Sequence, residues 1–251
     1  MSSLHVTSYG SGPLLVACHG FTQTASSWRT LTAGLQDSHT IVALDLPGHG
    51  GSSSVEANLD ETASLIAEIT RGNTFCLLGY SLGARVALTT ALAGTRGLER
   101  SILISGTAGI ADDALRTERR ERDNALADAI EKQNDVPAFL EQWLNQPMFA
   151  TLSPDQAGSA ERYENTARGL ASSLRLSGTG TQEPSWDRLS KIETPVHLIS
   201  GAYDPRFVTT NTHMVRHLAR GSFHIVPGAG HAVHLEQPDY TRTLISALLA
   251  T

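Results

Sequence analysis

The chain has 251 residues, which is enough for one large α/β domain with a sizeable core or for two small domains. Its contents of 40% hydrophobic and 18% charged residues are typical of a water-soluble globular protein. The formal net charge of −6 argues against a protein that binds nucleic acid.

No stretch approaches the roughly 18 consecutive apolar residues of a membrane span. The first five residues also lack the basic and apolar regions of a signal peptide. We therefore predict a cytoplasmic protein with no membrane partner. Cys18 and Cys76 both lie in apolar runs, and we expect them to be buried free thiols, as suits a reducing compartment. No Cys and His spacing predicts a metal site, and nothing implies a cofactor.

Arginine supplies nearly all of the positive charge, because only Lys132 and Lys191 among the 19 basic residues are lysine. Genomic composition bias explains much of this preference. Arginine is also the side chain that binds carboxylates through a planar, two-pronged fork.

Apolar runs alternate with helical patterns along the chain. The apolar runs predict buried strands at residues 14–18, 41–44, 75–78, 101–105, 195–200 and 223–226. Helices are predicted to open at 26–28 and to span 59–70, 82–92 and 238–249. This alternation predicts a doubly wound, mostly parallel sheet, which binds ligands beyond the carboxyl ends of its strands.

The alternation stops between residues 109 and 186, where no strand is predicted. Helices are expected at 112–132 and 136–145, with helical character over 151–173 and a loop at 177–181. We therefore divide the chain into a core of residues 1–108 and 187–251 and a helical cap of residues 109–186. The cap carries Arg116, Arg119, Arg120, Arg122, Arg162, Arg168 and Arg175, and Arg188 follows directly; we expect only two or three of these to face inward.

A Gly-x-Ser-x-Gly sequence, Gly79-Tyr80-Ser81-Leu82-Gly83, separates the predicted strand 75–78 from the predicted helix 82–92. In that context it is a nucleophile elbow, with the serine hydroxyl at the tip of the sheet. An ordinary glycine-rich turn is the alternative for the pentapeptide taken alone. The glycines are needed because the turn is too tight for side chains at those positions.

A serine hydroxyl needs a base, and the base needs a third group to hold it. Asp204 follows one predicted strand and His231 follows the last one, so the chain supplies Ser, Asp and His in the order that this fold requires. We predict that Ser81, Asp204 and His231 form a catalytic triad.

The competing residues fit less well. The strand at 101–105 ends in Ser105-Gly106-Thr107 and so offers no carboxylate. We expect His19, His224 and His234 to be structural. Asp45 and His49 lie in a Pro- and Gly-rich loop that we expect to shape the wall of the site, rather than to act as acid or base.

Taken together, these motifs resemble the α/β-hydrolase superfamily. Within it, Gly79-Tyr80-Ser81-Leu82-Gly83-Ala84-Arg85 resembles the 2-succinyl-6-hydroxy-2,4-cyclohexadiene-1-carboxylate synthases of menaquinone biosynthesis. Shared but less specific motifs are His19-Gly20-Phe21-Thr22, residues 45–50 and residues 230–236. Three segments of the cap are more specific to these synthases. They are Arg116-x-Glu118-Arg119-x-x-x-Asp123, residues 143–149 and residues 174–182. Ala84 and Leu144 depart from the family pattern, where a second glycine and an aromatic residue are common.

The resemblance implies an α/β-hydrolase fold whose cap follows the sixth strand, the strand at 101–105. It also implies a lyase that removes a ring proton and eliminates pyruvate from a small polycarboxylate substrate, with Ser81 as base. The N–H groups of Phe21 and Leu82 are then expected to form the oxyanion hole. The residues expected to bind substrate are Tyr80, Arg85, Arg119, Trp143 and Arg162.

Two other functions stay open at this point. A carboxylesterase or carbon–carbon hydrolase would use the same triad on uncharged esters, although its pocket would not need these arginines. A catalytically idle ligand receptor of the same fold is the second alternative, since fold does not fix function. We expect a monomer or a weak homo-oligomer.

Overall fold

The computed structural model describes residues 3–250, apart from the side chain of Ser159. Residues 1, 2 and 251 therefore lie outside the described residues. The first two belong to the stretch inspected for a signal peptide, and the last belongs to the predicted core segment 187–251. Within the described part of the chain, no helix is long and apolar enough to cross a membrane.

Over residues 3–250, seven strands form one sheet in the order β1-β3-β2-β4-β5-β6-β7. They are β1 (Val6–Gly10), β2 (Leu14–Cys18), β3 (Thr40–Leu44), β4 (Phe75–Tyr80), β5 (Leu98–Ile104), β6 (Val196–Gly201) and β7 (Gly221–Val226). Strand β1 pairs antiparallel with β3, and all other pairs are parallel. The predicted doubly wound, mostly parallel sheet is confirmed. The predicted strands overlap the observed ones, and their ends differ by no more than two residues except in β5, which begins three residues earlier than predicted.

In the part of the chain that the structure describes, ten α-helices surround the sheet or form the cap. They are α1 (Arg29–Thr32), α2 (Leu59–Thr70), α3 (Leu82–Leu92), α4 (Asp113–Gln133), α5 (Val136–Leu144), α6 (Ser159–Arg162), α7 (Ala167–Ser177), α8 (Pro205–Val215), α9 (Val233–Glu236) and α10 (Pro238–Leu249). A 3₁₀ turn at Ala25–Trp28 precedes α1, at the position where the sequence predicts that a helix opens.

The two faces of the sheet bury separate apolar clusters, because alternate side chains of a strand point in opposite directions. In β2, Val16 and Cys18 pack into one cluster, whereas Leu15 and Ala17 pack into the other. Burial on both faces explains why β2, β3 and β4 are continuous apolar runs. Cys18 and Cys76 are both buried and free, as predicted.

The helices between β5 and β6 form the cap and have their own apolar cluster, contributed by α4, α5 and α7. Asp112 and Asp135 cap the first two of these helices with their carboxylates, which accept N–H groups of the first turn. The cap follows the strand predicted to precede it. That strand is the fifth of the seven described strands, and not the sixth.

The prediction of helical character over residues 151–173 is wrong, because the helix is interrupted. The chain instead makes a 3₁₀ turn at Pro147–Phe149, the single-turn helix α6 and then α7. Pro154 cannot donate a helical hydrogen bond, and Gly158 adopts a left-handed conformation with φ of 61°. Both features interrupt a helix. Helix α7 also extends to Ser177, so the predicted loop begins one residue later.

Candidate active site

Ser81 lies between β4 and α3 with φ of 52° and ψ of −103°, a strained conformation for a residue other than glycine. The glycines two positions before and two positions after Ser81 are needed because the turn leaves no room for a side chain there. A Cβ at Gly79 would lie 2.2 Å from the carbonyl oxygen of Gly83, and a Cβ at Gly83 would lie 1.9 Å from that of Cys18. The strained turn lifts the Ser81 hydroxyl out of the sheet edge, which is the geometry of a nucleophile elbow.

The predicted triad residues meet at this edge. The Ser81 Oγ lies 3.2 Å from His231 Nε2, and His231 Nδ1 lies 2.7 Å from Asp204 Oδ2. Because the ionised carboxylate can only accept, it holds the proton on Nδ1 and leaves Nε2 free to accept from the serine. His231 is only 1% exposed, so the pair is shielded from water.

Asp204 is fixed by the helix that follows it. It is the N-cap residue of α8, where its Oδ1 accepts the N–H of Phe207 at 3.2 Å while Oδ2 faces His231. The Phe207 ring then packs against the imidazole, with ring centroids 4.7 Å apart. The capping interaction therefore positions both the Asp204 carboxylate and the Phe207 ring, which packs against the imidazole of His231.

Glu236 supports the histidine loop. Its buried carboxylate accepts the N–H of Gly230 at 2.7 Å and that of Ala232 at 3.0 Å, on either side of His231. The Ser105 hydroxyl donates to the His231 carbonyl at 2.8 Å. Neither support was predicted from the sequence, although Glu236 lies in the motif at residues 230–236.

Two backbone N–H groups are available as an oxyanion hole. The N–H of Phe21 and that of Leu82 donate to no other residue that the structure describes, and both residues line the same cavity as Ser81. Leu82 is the first residue of α3, where backbone N–H groups have no partner within the helix. That these two groups form an oxyanion hole stays a prediction.

His19 and His49 hold the loops beside this site as neutral side chains. His19 Nε2 accepts the N–H of Leu46 at 3.0 Å, and His49 Nε2 accepts that of Thr22 at 3.2 Å. Burial lowers the pKa of His19 to about 4 and that of His49 to about 3. Both are structural in this geometry, as expected.

The other competing residues are also occupied by structural contacts. Asp45 accepts the backbone N–H groups of Ala25 and Gly51. His234 is fully buried, and its burial lowers its pKa to about 3. His224 lies in β7 and contacts the Ser222 hydroxyl at 2.8 Å.

A cavity of about 520 Å³ opens over Ser81 and His231, between the core and the cap. The basic side chains that line it are Arg85 on α3, Arg119 and Arg122 on α4, and Arg206 on α8. Asp123 is the one acidic side chain among the lining residues that the structure describes. Although the chain is acidic overall, the wall of the cavity is positively charged and suits an anionic ligand.

Arg85 reaches the cavity from the helix that begins after Ser81. It is 7% exposed, and its Nη1 donates to the carbonyl of Ser177 at 2.7 Å. Burial, with the nearby charge of Arg119, lowers the pKa of Arg85 to about 10, so that it remains charged at neutral pH.

Arg119 is held by a carboxylate on its own helix. Its Nε donates to Asp123 Oδ1 at 2.8 Å, and Asp123 Oδ2 accepts the N–H of Gly180 at 3.2 Å. The Asp123 side chain is 6% exposed, whereas that of Arg119 is 33% exposed. The guanidinium is thus fixed at one nitrogen and open at the others.

Trp143 lines the cavity, as predicted, and packs against Phe21 with ring centroids 5.0 Å apart. Its indole Nε1 is buried and donates to no described residue. Of the predicted cap arginines, Arg119 and Arg122 face the cavity, which agrees with the expected two or three.

Tyr80 and Arg162 do not line the cavity, and in this respect the prediction differs from the structure. The Tyr80 ring lies between His231 and His234, with centroid separations of 5.4 and 4.3 Å, because it belongs to the buried end of β4. Arg162 is 4% exposed and donates to the carbonyl of Ala157 at 2.7 Å and to the Thr22 hydroxyl. It lies behind the oxyanion-hole loop.

The sequence analysis also missed Arg206. This residue lies on the first turn of α8, two positions after the triad aspartate, and its guanidinium is 5.8 Å from the centre of the Phe207 ring. Its place at the carboxyl edge of the sheet was the available signal. No group of three or more His, Cys, Asp or Glu residues in the described part of the chain is arranged to hold a metal ion.

The model of the alpha/beta hydrolase family matches residues 15–243. The chain belongs to this family. Its relatives include a putative 2-succinyl-6-hydroxy-2,4-cyclohexadiene-1-carboxylate synthase of Bacillus subtilis (strain 168), 33% identical over 94% of this chain and 90% of the relative. The synthase of the same name from Enterobacter sp. (strain 638) is 30% identical over 94% of this chain and 92% of the relative. The resemblance within the alpha/beta hydrolase family is confirmed.

Solved structures agree with this placement in the alpha/beta hydrolase family. MenH from S. aureus superposes with a TM-score of 0.91, with 28% identity and 98% of both chains covered. A thermophilic esterase from Thermogutta terrifontis superposes with a TM-score of 0.84 at 22% identity, covering 98% of this chain and 93% of the esterase. At that identity the esterase shows the fold alone.

Proposed function

We propose that this chain is a lyase of menaquinone (vitamin K2) biosynthesis. Its substrate would be 2-succinyl-5-enolpyruvyl-6-hydroxy-3-cyclohexene-1-carboxylate, and its products pyruvate and 2-succinyl-6-hydroxy-2,4-cyclohexadiene-1-carboxylate. The names of the relatives support this reaction. The observation that carries the proposal is the set of four arginines that share one cavity with Ser81 and His231.

The negative charge of the proposed substrate complements the positive charge of the cavity wall. The substrate carries carboxylates on the succinyl group, on the ring and on the enolpyruvyl group, three in all. Planar guanidinium groups bind carboxylates in bidentate geometry. An esterase pocket for neutral substrates has no need of four such groups, and burying Arg85 without an anionic ligand would be costly.

We propose that Ser81 acts as a base. As its hydroxyl proton passes to His231, Oγ takes the ring proton next to the succinyl carbonyl. The C–H electrons form a ring double bond, the existing double bond shifts, and the C–O bond to the enolpyruvyl group breaks. The leaving enolate takes a proton, which the imidazolium can supply, and becomes pyruvate.

Charge that develops on the succinyl carbonyl needs fixed donors. The N–H groups of Phe21 and Leu82 would hold this oxyanion, as in acyl-transfer enzymes of the same fold. Removing one such donor costs about 10²- to 10³-fold in kcat in serine enzymes. Here the same donors would serve an enolate instead of a tetrahedral intermediate.

The roles of the other predicted site residues are inferred from where each side chain lies relative to the cavity. We propose that Arg85, Arg119 and Trp143 bind the substrate, whereas Arg162 holds the loop of Phe21 through Thr22. Residues 109–186 would act as a lid on a core formed by residues 1–108 and 187–251. The buried free thiols of Cys18 and Cys76 suit a reducing cytoplasm.

The reaction has a stoichiometric signature. With the enolpyruvyl substrate generated in situ, we expect one pyruvate, detected by its reduction with NADH, for each cyclohexadiene detected by its ultraviolet absorbance. Substrate deuterated at the abstracted ring position should react more slowly if proton abstraction limits the rate. Disappearance of substrate without pyruvate would reject the proposal.

A further inference from the structure

Arg206 occupies a position that is unfavourable for a cation. It lies on the first turn of α8, directly after the N-cap Asp204 and Pro205. The N-terminal end of a helix carries partial positive charge, so an arginine there is less favourable than a neutral residue. A residue that breaks a local rule in this way often serves function.

No carboxylate of the described residues compensates this charge, because Arg206 takes part in none of their ion pairs. Two other arginines of the cavity differ in this respect. Arg119 is paired with Asp123, and Arg122 with Glu118. Arg206 therefore keeps its charge available for a ligand.

The guanidinium is nevertheless held in place. It stacks 5.8 Å from the centre of the Phe207 ring, and the same ring packs 4.7 Å from the imidazole of His231. Arg206, Phe207 and His231 all line the cavity. Arg206 is exposed, and stacking of its guanidinium on the aromatic face favours a position at the rim of the cavity.

We propose that Arg206 is a specificity-determining residue that binds a carboxylate of the substrate from the core side, beside the triad. Arg119 binds from the cap side. This inference rests on the proposed function for the identity of the substrate, while the anion-binding role depends only on the cavity. A ligand with carboxylates at both ends would join α8 to the cap.

The test uses three variants of the full chain. Arg206→Met keeps the apolar stem on Phe207 and removes the charge, and Arg206→Lys restores a charge without the fork. Arg216→Met is the control, because Arg216 is an exposed arginine directly after the same helix and does not line the cavity. We expect Arg206→Met to raise KM for pyruvate release about tenfold, as for a lost charge-assisted hydrogen bond. The change in kcat should be small, Arg206→Lys should recover part of the loss, and Arg216→Met should match the wild type.

Two further readouts separate this role from a structural one. The salt dependence of KM should be weaker in Arg206→Met, since one screened ion pair is lost. The melting temperature should be unchanged or higher, because an unfavourable charge at a helix N-terminus is removed. A melting temperature that falls together with an unchanged KM would assign Arg206 to stability and overturn the proposal.

Binding of propane-1,2,3-tricarboxylate, measured by calorimetry, does not depend on the reaction catalysed. If the wild type releases no pyruvate but binds this tricarboxylate more tightly than Arg206→Met does, the proposed reaction fails and the anion site stands. If pyruvate is released with the same KM in wild type and Arg206→Met, the reaction stands and the role of Arg206 is rejected. Equal or absent tricarboxylate binding in both proteins, without pyruvate release, also rejects it.

Discussion

Arg85 donates a hydrogen bond from Nη1 to the carbonyl oxygen of Ser177, 2.7 Å away, and so joins the helix of the nucleophile to the end of a cap helix. Arg85 lies one turn after Ser81 on α3, while Ser177 is the last residue of α7. The same side chain lines the cavity. It therefore connects the cap to the helix that follows Ser81, and its remaining donors are available to a ligand.

Replacing Arg85 should impair both binding and stability. In Arg85→Met the carbonyl of Ser177 loses its donor, and the substrate loses a charged partner worth about 1.5–3 kcal/mol. We expect KM to rise by at least tenfold and the melting temperature to fall. Arg116→Met is the control, since Arg116 pairs with Asp113 and does not line the cavity. An Arg85→Met enzyme with unchanged KM would remove Arg85 from the binding site.

Asp123 should act as a positioning residue for Arg119. Asp123→Asn turns one acceptor into a donor, so that it no longer satisfies both Arg119 Nε and the N–H of Gly180. We expect KM to rise about tenfold with kcat largely retained, as for the loss of a hydrogen bond to a charged group. Glu118→Gln removes the carboxylate that pairs with Arg122 on the same helix and should change KM much less. Equal effects of the two variants would contradict a special role for Asp123.

Arg119 and Arg162 should behave differently, although the sequence assigns both to substrate binding. Arg119 lines the cavity, so Arg119→Ala should weaken kcat/KM tenfold or more with little change in the melting temperature. Arg162 is 4% exposed and contacts Thr22 and Ala157, so Arg162→Met should chiefly lower the melting temperature. A large rise in KM for Arg162→Met at unchanged stability would restore its direct role.

Three buried histidines should make the protein less stable in mild acid. Burial lowers the pKa of His19 to about 4 and those of His49 and His234 to about 3, whereas an exposed histidine titrates near 6.5. Between these values the unfolded chain binds more protons than the folded one. The histidine contribution to the free energy of unfolding is therefore complete above pH 6.5 and is lost as the pH falls toward 4.

Each buried histidine contributes at most about 1.4 kcal/mol per pH unit to this slope. Urea unfolding at pH 7, 6 and 5 should show the decline. The slope between pH 6 and 5 should be smaller in His49→Gln, and it should be unchanged in His217→Gln, where the histidine is exposed. A slope that does not respond to His49→Gln would refute this assignment.

Much of the fold was accessible from the sequence because burial on both faces of a parallel sheet leaves continuous apolar runs, as at residues 14–18 and 75–78. Strand β1 was missed since it is a half-exposed edge strand with no such run. Helix α8 was missed although Asp204 and Pro205 are favourable residues for a helix start. The interruption of 151–173 depends on Pro154 and Gly158, whose effect was underestimated.

The triad could be predicted because strand-to-loop order fixes which residues reach the carboxyl edge. The direction of individual long side chains could not. Tyr80 belongs to the elbow motif, whereas Arg162 is one of the cap arginines and lies in no quoted motif. Packing against His234 turns Tyr80 away from the cavity, and a hydrogen bond to Thr22 does the same for Arg162. Arg206 was overlooked because its place at the carboxyl edge of the sheet does not by itself distinguish a cavity-facing arginine from a solvated one.

The central claim is that Ser81 drives elimination instead of ester hydrolysis. The most direct test measures pyruvate release from the enolpyruvyl cyclohexene substrate beside hydrolysis of a short p-nitrophenyl ester, in wild type and in Ser81→Ala. We expect fast pyruvate release that is lost in Ser81→Ala, with slow ester cleavage. Fast, Ser81-dependent ester cleavage without pyruvate would contradict it and make the protein an esterase.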